Sequence, residues 1–206
     1  MPQYTRNPPL NEADLAAEPL AQLERWLTDA VAIGMQEPTA MTLATADANG
    51  VPSARIVLFK GFRDGGLTFY TNHESHKGQD LAENPNVALV FWWDKLERSV
   101  RIEGRAEKLS EAVAREYFYT RPHYSQLGAL TSRQSRVIAT REELDARFDA
   151  NLKQHEGREV PFPTFWGGYL VKPTLVEFWQ GRHGRLHDRL QYVSSGKQWR
   201  VERLEP

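Results

Sequence analysis

The side chains able to do chemistry gather in six short segments rich in Arg, Lys, Ser, Tyr and Gln. They are Arg55-Ile56-Val57-Leu58-Phe59-Lys60, Tyr70-Thr71-Asn72, Ser75-His76-Lys77, Tyr117 to Ser125, Ser132-Arg133-Gln134-Ser135-Arg136 and Arg185-Leu186-His187-Asp188-Arg189. An odd spacing puts Arg55 and Lys60 on opposite faces of a strand. They are either solvated edge charges or, in a barrel that packs one face inward, a pair of which one cation needs an anionic partner. Ser75 reads as a helix N-cap. With His76 and Lys77 behind it, the same stretch also describes an anion site, because free N–H groups and cations converge at a helix start. Tyr117 and Arg121 are neighbours on one helix face, with Ser125 just beyond Pro122. Stacking accounts for the pair; hydroxyl, guanidinium and hydroxyl together also describe a phosphate clamp. Arg185, His187 and Arg189 alternate, so a strand presents all three on one face, as a surface row or as the cationic wall of a ligand site.

Other chemistries are excluded. The chain holds no P-loop, no G-x-G-x-x-G, no G-x-S-x-G and no H-E-x-x-H. His183 and His187 are four apart, but only Asp188 lies near enough in sequence to be a third ligand, so no metal is expected. With no cysteine there are no disulfides and no thiolate chemistry. Lys and Arg number 26 against 27 Asp and Glu, a net charge of -1, which argues against a nucleic-acid binder. No apolar run approaches the roughly 18 residues of a membrane span, and the first residues lack an apolar signal core. A cytoplasmic protein is expected. Aromatic residues reach 11%, with six Trp, which suits a large core, a subunit interface or a flat ligand.

The positioning elements follow from pattern. At 206 residues one domain is favoured: a mobile N-terminal arm over 1–18, polar and carrying Pro8-Pro9, then a single domain over 19–206. Pro19 opens a helix with Leu20, Leu23, Leu27 and Val31 on one face, closed by Gly34. Strands are expected over 41–46, 53–60, 67–71, 87–93 and 98–108, with turns at Asp47–Gly50 and Asp64–Gly66. A short helix follows Ser75 and ends before Pro85. Ser110–Thr120 reads as helix, and Thr140 with Glu143 as the capping box of another, carrying Leu144, Phe148 and Leu152. After a loop over 156–164 come strands over 168–171, 175–179, 186–193 and 199–204. Strands with short turns and without regular strand–helix alternation predict a closed or split antiparallel barrel.

Several segments, in this order, resemble the pyridoxine (pyridoxamine) 5′-phosphate oxidase family: Arg55–Lys60, Phe69-Tyr70-Thr71-Asn72, Ser132-Arg133-Gln134-Ser135, Phe165-Trp166-Gly167-Gly168, and Glu177-Phe178-Trp179-Gln180-Gly181 followed by Arg185–Arg189. The resemblance runs from about Pro19 to Pro206. It implies a mainly β fold with flanking helices, the antiparallel FMN-binding split β-barrel of Greek-key type, assembled as a homodimer with two FMN sites at its interface. It implies FMN binding by Arg55, Ile56, Val57, Leu58, Phe59, Lys60, Tyr70, Thr71, His76, Lys77, Ser99, Gln134, Ser135, Trp179 and Arg189. The substrate phosphate would meet Lys60, Tyr117, Arg121 and Ser125. Arg185, Leu186 and His187 would face the pyridine ring, with Arg185 and His187 as the catalytic pair. The implied reaction oxidises pyridoxamine 5′-phosphate or pyridoxine 5′-phosphate to pyridoxal 5′-phosphate, with hydride passing from C4′ to flavin N5 and dioxygen becoming hydrogen peroxide. His76 stands where the family usually has Arg, Ser99 where it usually has Gln, and Pro2-Gln3 where a basic residue precedes Tyr4. Two alternatives stay open: a split-barrel oxidase of another planar ring, of the phenazine type, and a non-catalytic flavin or pyridoxal-phosphate carrier.

Overall fold

The structure is a computed structural model that describes Tyr4 and residues 7–196 and 198–206. Helix α1 (Pro19–Ala32) begins at its proline, which loses no hydrogen bond in the first turn. Its buried face is Leu23, Trp26, Leu27 and Ala30. The expected stripe is thus rotated: Val31 is exposed, because Trp26 and Ala30 complete the helical face that meets the barrel. Strands β1 (Ala40–Ala46) and β2 (Pro52–Leu58) form a hairpin. Its turn is tied by Asp47 Oδ1, which accepts from the N–H groups of Asn49 and Val51, with Gly50 at φ 80.

Next come β3 (Phe62–Arg63), β4 (Gly66–Asn72), α2 (His76–Glu83), β5 (Asn86–Trp93) and β6 (Arg98–Lys108). Helices α3 (Glu111–Thr120), α4 (His123–Thr131) and α5 (Arg141–Gln154) follow, then β7 (Trp166–Gln180), β8 (Asp188–Ser194) and β9 (Trp199–Arg203). Ser75, Ser110 and Thr140 accept N-cap hydrogen bonds from Gly78, Val113 and Glu143. Helix α4 went unrecognised in the sequence. No side chain caps it; Pro122 occupies the N-cap, and its apolar face is short.

All strand pairs are antiparallel, in the order β2-β1-β5-β6-β7-β4-β3, with β8 pairing β7 and β9 pairing β8. Beyond β2, Lys60 N–H donates to the Thr68 carbonyl and Thr68 N–H donates to Gly61, so the two ends of the sheet meet and the barrel closes. The fold is therefore the mainly β, antiparallel barrel expected. Two expected strands are one: β7 runs unbroken through Pro173. Its first half pairs β4 and its second half pairs β8, both opposite β6. The register of β6 and β7 shifts between Glu103 and Gly104, where Gly104 faces Pro173. This irregularity accommodates the proline, and a Cβ on Gly104 would stand 2.3 Å from the Lys172 carbonyl oxygen.

The main core joins the barrel interior to α1 through Trp26, Leu43, Leu89, Phe91, Val100, Ile102 and Phe178. A second cluster, Phe118, Leu127, Val160 and Trp166, packs α3 and α4 on the start of β7. Part of the expected N-terminal arm packs on the body. Leu10 and Ala16 are buried, Leu10 N–H donates to Asp188, and the Tyr192 hydroxyl donates to the Ala16 carbonyl. Residues 1–3, 5 and 6 lie outside the described residues.

Candidate active site

A cavity of about 830 Å³ opens between β2, β4, α2 and the α3–α4 corner. Arg55 points into it from β2, held by three elements at once. Its Nη1 donates to Thr45 Oγ1 at 2.6 Å and its Nη2 to Ser53 Oγ at 2.8 Å. The Asp80 carboxylate of α2 lies 3.6 Å away and accepts from Thr45 Oγ1. Asp80 is the anionic partner that a strand cation demanded, and the sequence reading had not named it. Its signal was an acid at i+4 from His76, whose Nε2 stands 3.4 Å from Asp80 Oδ1.

Lys77 lies beside this cluster, buried at the start of α2. Its Nζ donates to Gln134 Oε1 at 2.9 Å, Thr71 Oγ1 at 3.3 Å and Ser75 Oγ at 3.4 Å. Burial first, and then the charge of Arg55, push its pKa down from 10.5 to about 8 against the pull of Asp80. Gln134 Oε1 also accepts from Thr71 Oγ1. Ser135 sits at φ 69, a left-handed turn that puts the 132–136 loop against the cavity.

The opposite wall is aromatic. Tyr70 stacks on Tyr117 at 3.9 Å between ring centroids and on Trp166 at 5.5 Å. The Arg121 guanidinium lies over Trp166 at 4.8 Å, not over Tyr117. Its Nη1 is buried with no hydrogen-bond partner among the described residues, and burial lowers the Arg121 pKa. Ser125 of α4 and Lys60 complete the wall. Arg55 and Lys60 thus reach one cavity, not opposite faces, because β2 ends at Leu58 and the chain turns before Lys60. Ile56, Val57 and Leu58 line the same space, with Ile56 64% exposed. Phe59 does not: its side chain is buried in the main core against Phe62 and Phe91.

Ser99, Trp179 and Arg189 lie elsewhere. Cross-strand register aligns Trp92, Ser99, Trp179 and Arg189 across β5, β6, β7 and β8, and the next row aligns Val90, Arg101 and Glu177. These rows line a recess of about 490 Å³ that shares no residue with the first cavity. Glu177 is its buried anchor. It accepts from Arg189 Nε at 2.7 Å and from Arg101 Nη2 at 2.7 Å. Burial raises the Glu177 pKa, but these two guanidiniums outweigh it and hold the carboxyl below its ordinary 4.5. Tyr4 stands edge-on to Trp179 at the rim, and a Cβ on Gly181 would collide with its ring.

Arg185, His187 and Arg189 do not share a strand face. β8 starts only at Asp188; residues 183–185 form a 3-10 turn with Gly184 at φ 68 and Arg185 at φ 64. Gly184 sets this left-handed reversal, and it throws Arg185 and Leu186 outward, Leu186 74% exposed and neither lining a cavity. His187 lies 4.5 Å from Trp179 and 5.6 Å from Tyr4 between ring centroids, next to the second recess. Its Nδ1 accepts the Arg182 N–H, so the neutral ring carries its proton on Nε2. Burial and then Arg185 lower its pKa, against Asp188.

Residues 27–153 match the family model described as pyridoxamine 5′-phosphate oxidase, and residues 166–206 match the pyridoxine 5′-phosphate oxidase C-terminal dimerisation region. A Bordetella pertussis protein named pyridoxine/pyridoxamine 5′-phosphate oxidase is 54% identical over 96% of this chain and 93% of its own length. An Acaryochloris marina protein of the same name is 51% identical over 98% and 92%. Among solved structures, PhzG from Burkholderia lata, in complex with tetrahydrophenazine-1-carboxylic acid, matches with a TM-score of 0.89 at 32% identity, over 94% of this chain and 95% of that one. The two family models together span residues 27–153 and 166–206, the relatives match over nearly the whole chain, and the chain belongs to the pyridoxamine 5′-phosphate oxidase family.

Proposed function

We propose that this chain is an FMN-dependent oxidase that converts pyridoxamine 5′-phosphate and pyridoxine 5′-phosphate to pyridoxal 5′-phosphate, acting in the cytoplasm as a homodimer. One observation carries the reading: a single cavity holds two separate sets of cationic and hydroxyl groups, each suited to a phosphate, around an aromatic wall. One set is Arg55 and Lys77, with Thr71, His76, Gln134 and Ser135 around them. The other is Arg121 with Lys60, Tyr117 and Ser125. FMN fits the first set by its donor chemistry, since two crowded cations share one carboxylate, Asp80, and an arriving phosphate relieves their repulsion. The second set fits the substrate phosphate, because the buried Arg121 Nη1 has no partner without an anion.

FMN supplies, when bound, two-electron oxidation of the substrate carbon with dioxygen as final acceptor. The chain's own residues bind and orient. Tyr70, Tyr117 and Trp166 give a flat wall and keep water from one side of the cavity. Ser99, Trp179 and Arg189 belong to the site only if a second copy brings its recess against this cavity, and the exposed Arg185 and Leu186 would come with it. His187, fixed through Nδ1 and packed on Trp179, would then orient the substrate ring and hold a proton on Nε2.

The test is anaerobic addition of pyridoxamine 5′-phosphate to the FMN-loaded protein. Bleaching of the flavin absorbance, followed by peroxide release on admitting oxygen, is expected. Bound flavin that stays oxidised would leave a carrier. The likeness to PhzG favours one second reading, oxidation of a phenazine-type ring. Bleaching by a dihydrophenazine carboxylic acid, with none by either B6 phosphate, would establish it.

A further inference from the structure

Between Asn72 and Ser75 the chain passes from β4 to α2, and every ligand-facing group on that passage depends on its path. His73 occupies the turn. Its N–H donates to the Phe165 carbonyl at 2.7 Å. The turn is closed by two glycines that leave no room. A Cβ on Gly78 would stand 2.1 Å from the His73 carbonyl oxygen, and a Cβ on Gly167 would stand 2.6 Å from Cε1 of the ring. The ring packs edge-on against Tyr169 at 5.2 Å. Its Nε2 is buried and has no hydrogen-bond partner among the described residues, and the buried hydroxyl of Tyr169 has none there either.

From this geometry we infer that His73 is a positioning residue for the phosphate cradle: its neutral ring wedges the β4–α2 turn in place, and protonation releases the turn and weakens the binding of FMN. The residues at stake flank it on both sides. Thr71 and Asn72 lie before it, Ser75 and Lys77 after it, and Ser75 Oγ donates back to the Asn72 carbonyl across the turn. A proton on Nε2 would place a cation where no acceptor exists. The groups packed around the ring offer no relief. β7 contributes Tyr169, whose hydroxyl burial pushes up to about 12, so it stays neutral. β6 contributes the like charge of Lys108. Gly78 of α2 meets the His73 backbone, not the ring, and Gly167, which faces the ring, has no side chain either. Burial and then Lys108 lower the His73 pKa, opposed only by a hydrogen bond with the Gly168 backbone. The neutral form is thus the native one. The effect has its own sign: acid weakens binding through His73.

This inference rests on the cavity being the FMN site, and the experiment separates the two. FMN is titrated into the apo protein, wild type and His73→Leu, with flavin fluorescence as readout, from about pH 8 down to about pH 5, the span over which a histidine with lowered pKa gains its proton. Leucine fills the slot without a titrating nitrogen. The wild-type Kd should rise several-fold more than that of His73→Leu over this span; one pKa unit between apo and bound His73 corresponds to about tenfold. Every other titrating group is the same in both proteins and cancels in the comparison. Should His73→Leu fail to fold, the His73 ring resonance in wild-type protein serves instead, and its pKa should fall on adding FMN. Parallel pH curves, or a His73 pKa unchanged by FMN, would overturn the inference. Absence of FMN binding by the wild type at pH 8 would overturn the functional reading itself.

Discussion

Arg121 is a half-buried cation that no acid neutralises among the described residues. It rests on Trp166, with Nη1 unpartnered and its pKa lowered by burial. A phosphate dianion would satisfy it in ground state and transition state alike, so its loss should act on binding. Arg121→Ala is expected to raise KM for pyridoxamine 5′-phosphate far more than it lowers kcat, at a cost of roughly 1.5–3 kcal/mol for one charge-assisted contact. An unchanged KM would remove Arg121 from the clamp. Lys77 has a different signature. With its pKa at about 8, it loses its charge just above neutrality. FMN affinity should therefore fall as pH rises through about 8, and an arriving phosphate should hold the proton on. FMN titrations of wild type and Lys77→Met between about pH 7 and about pH 9.5 check this, since only the wild type should show that limb. Parallel profiles would exclude Lys77 as the titrating contact.

At the scale of elements, β7 organises the molecule, because it alone pairs three strands. Glu177 at its second half receives guanidiniums from β6 on one side and β8 on the other. The ordinary carboxyl value is 4.5 and the folded value lies below it. Its contribution to stability is thus fully present above about 4.5 and is lost as pH falls through the folded value. Glu177→Gln should unfold more easily at neutral pH, by roughly 1.5–3 kcal/mol for the lost charged hydrogen bonds. The difference from wild type should narrow in acid. Urea unfolding at several pH values measures both. A gap that stays constant down to about pH 3 would show that the carboxylate charge contributes nothing.

At the scale of the whole molecule, most of the expected site residues divide between two recesses of one chain, with Phe59, Arg185, Leu186 and His187 lining neither. Gln134 and Ser135 lie with Arg55 and Lys77 in the first. Ser99, Trp179 and Arg189 lie in the second, Trp179 and Arg189 on the segment that matches a dimerisation region, and on the proposed reading a partner brings this second half. A site divided this way links FMN binding to dimerisation by mass action. Dilution should release FMN as dimers dissociate, and added FMN should shift sedimentation toward the dimer. A monomer that retains full FMN affinity would refute the shared site.

The barrel was legible in the sequence because strand alternation, the Asp47–Gly50 turn and the Ser75 and Thr140 caps are local signals, set within a few residues by sterics and hydrogen bonding. The family resemblance further named the cavity residues, most of which the fold then brought together from β2, β4, α2, α3, α4 and the 132–136 loop. What depended on distant chain was not legible. Asp80 answers Arg55 only because α2 lies against β1 and β2. Trp166 supports Arg121 only because β7 passes under α3. Phe59 left the expected site because the barrel interior claims its ring. The alternation of Arg185, His187 and Arg189 suggested a strand, yet Gly184 adopts the left-handed conformation and turns the first of them outward. Period-two patterning reports which side a residue takes if a strand is present; only the packed structure decides where the strand begins.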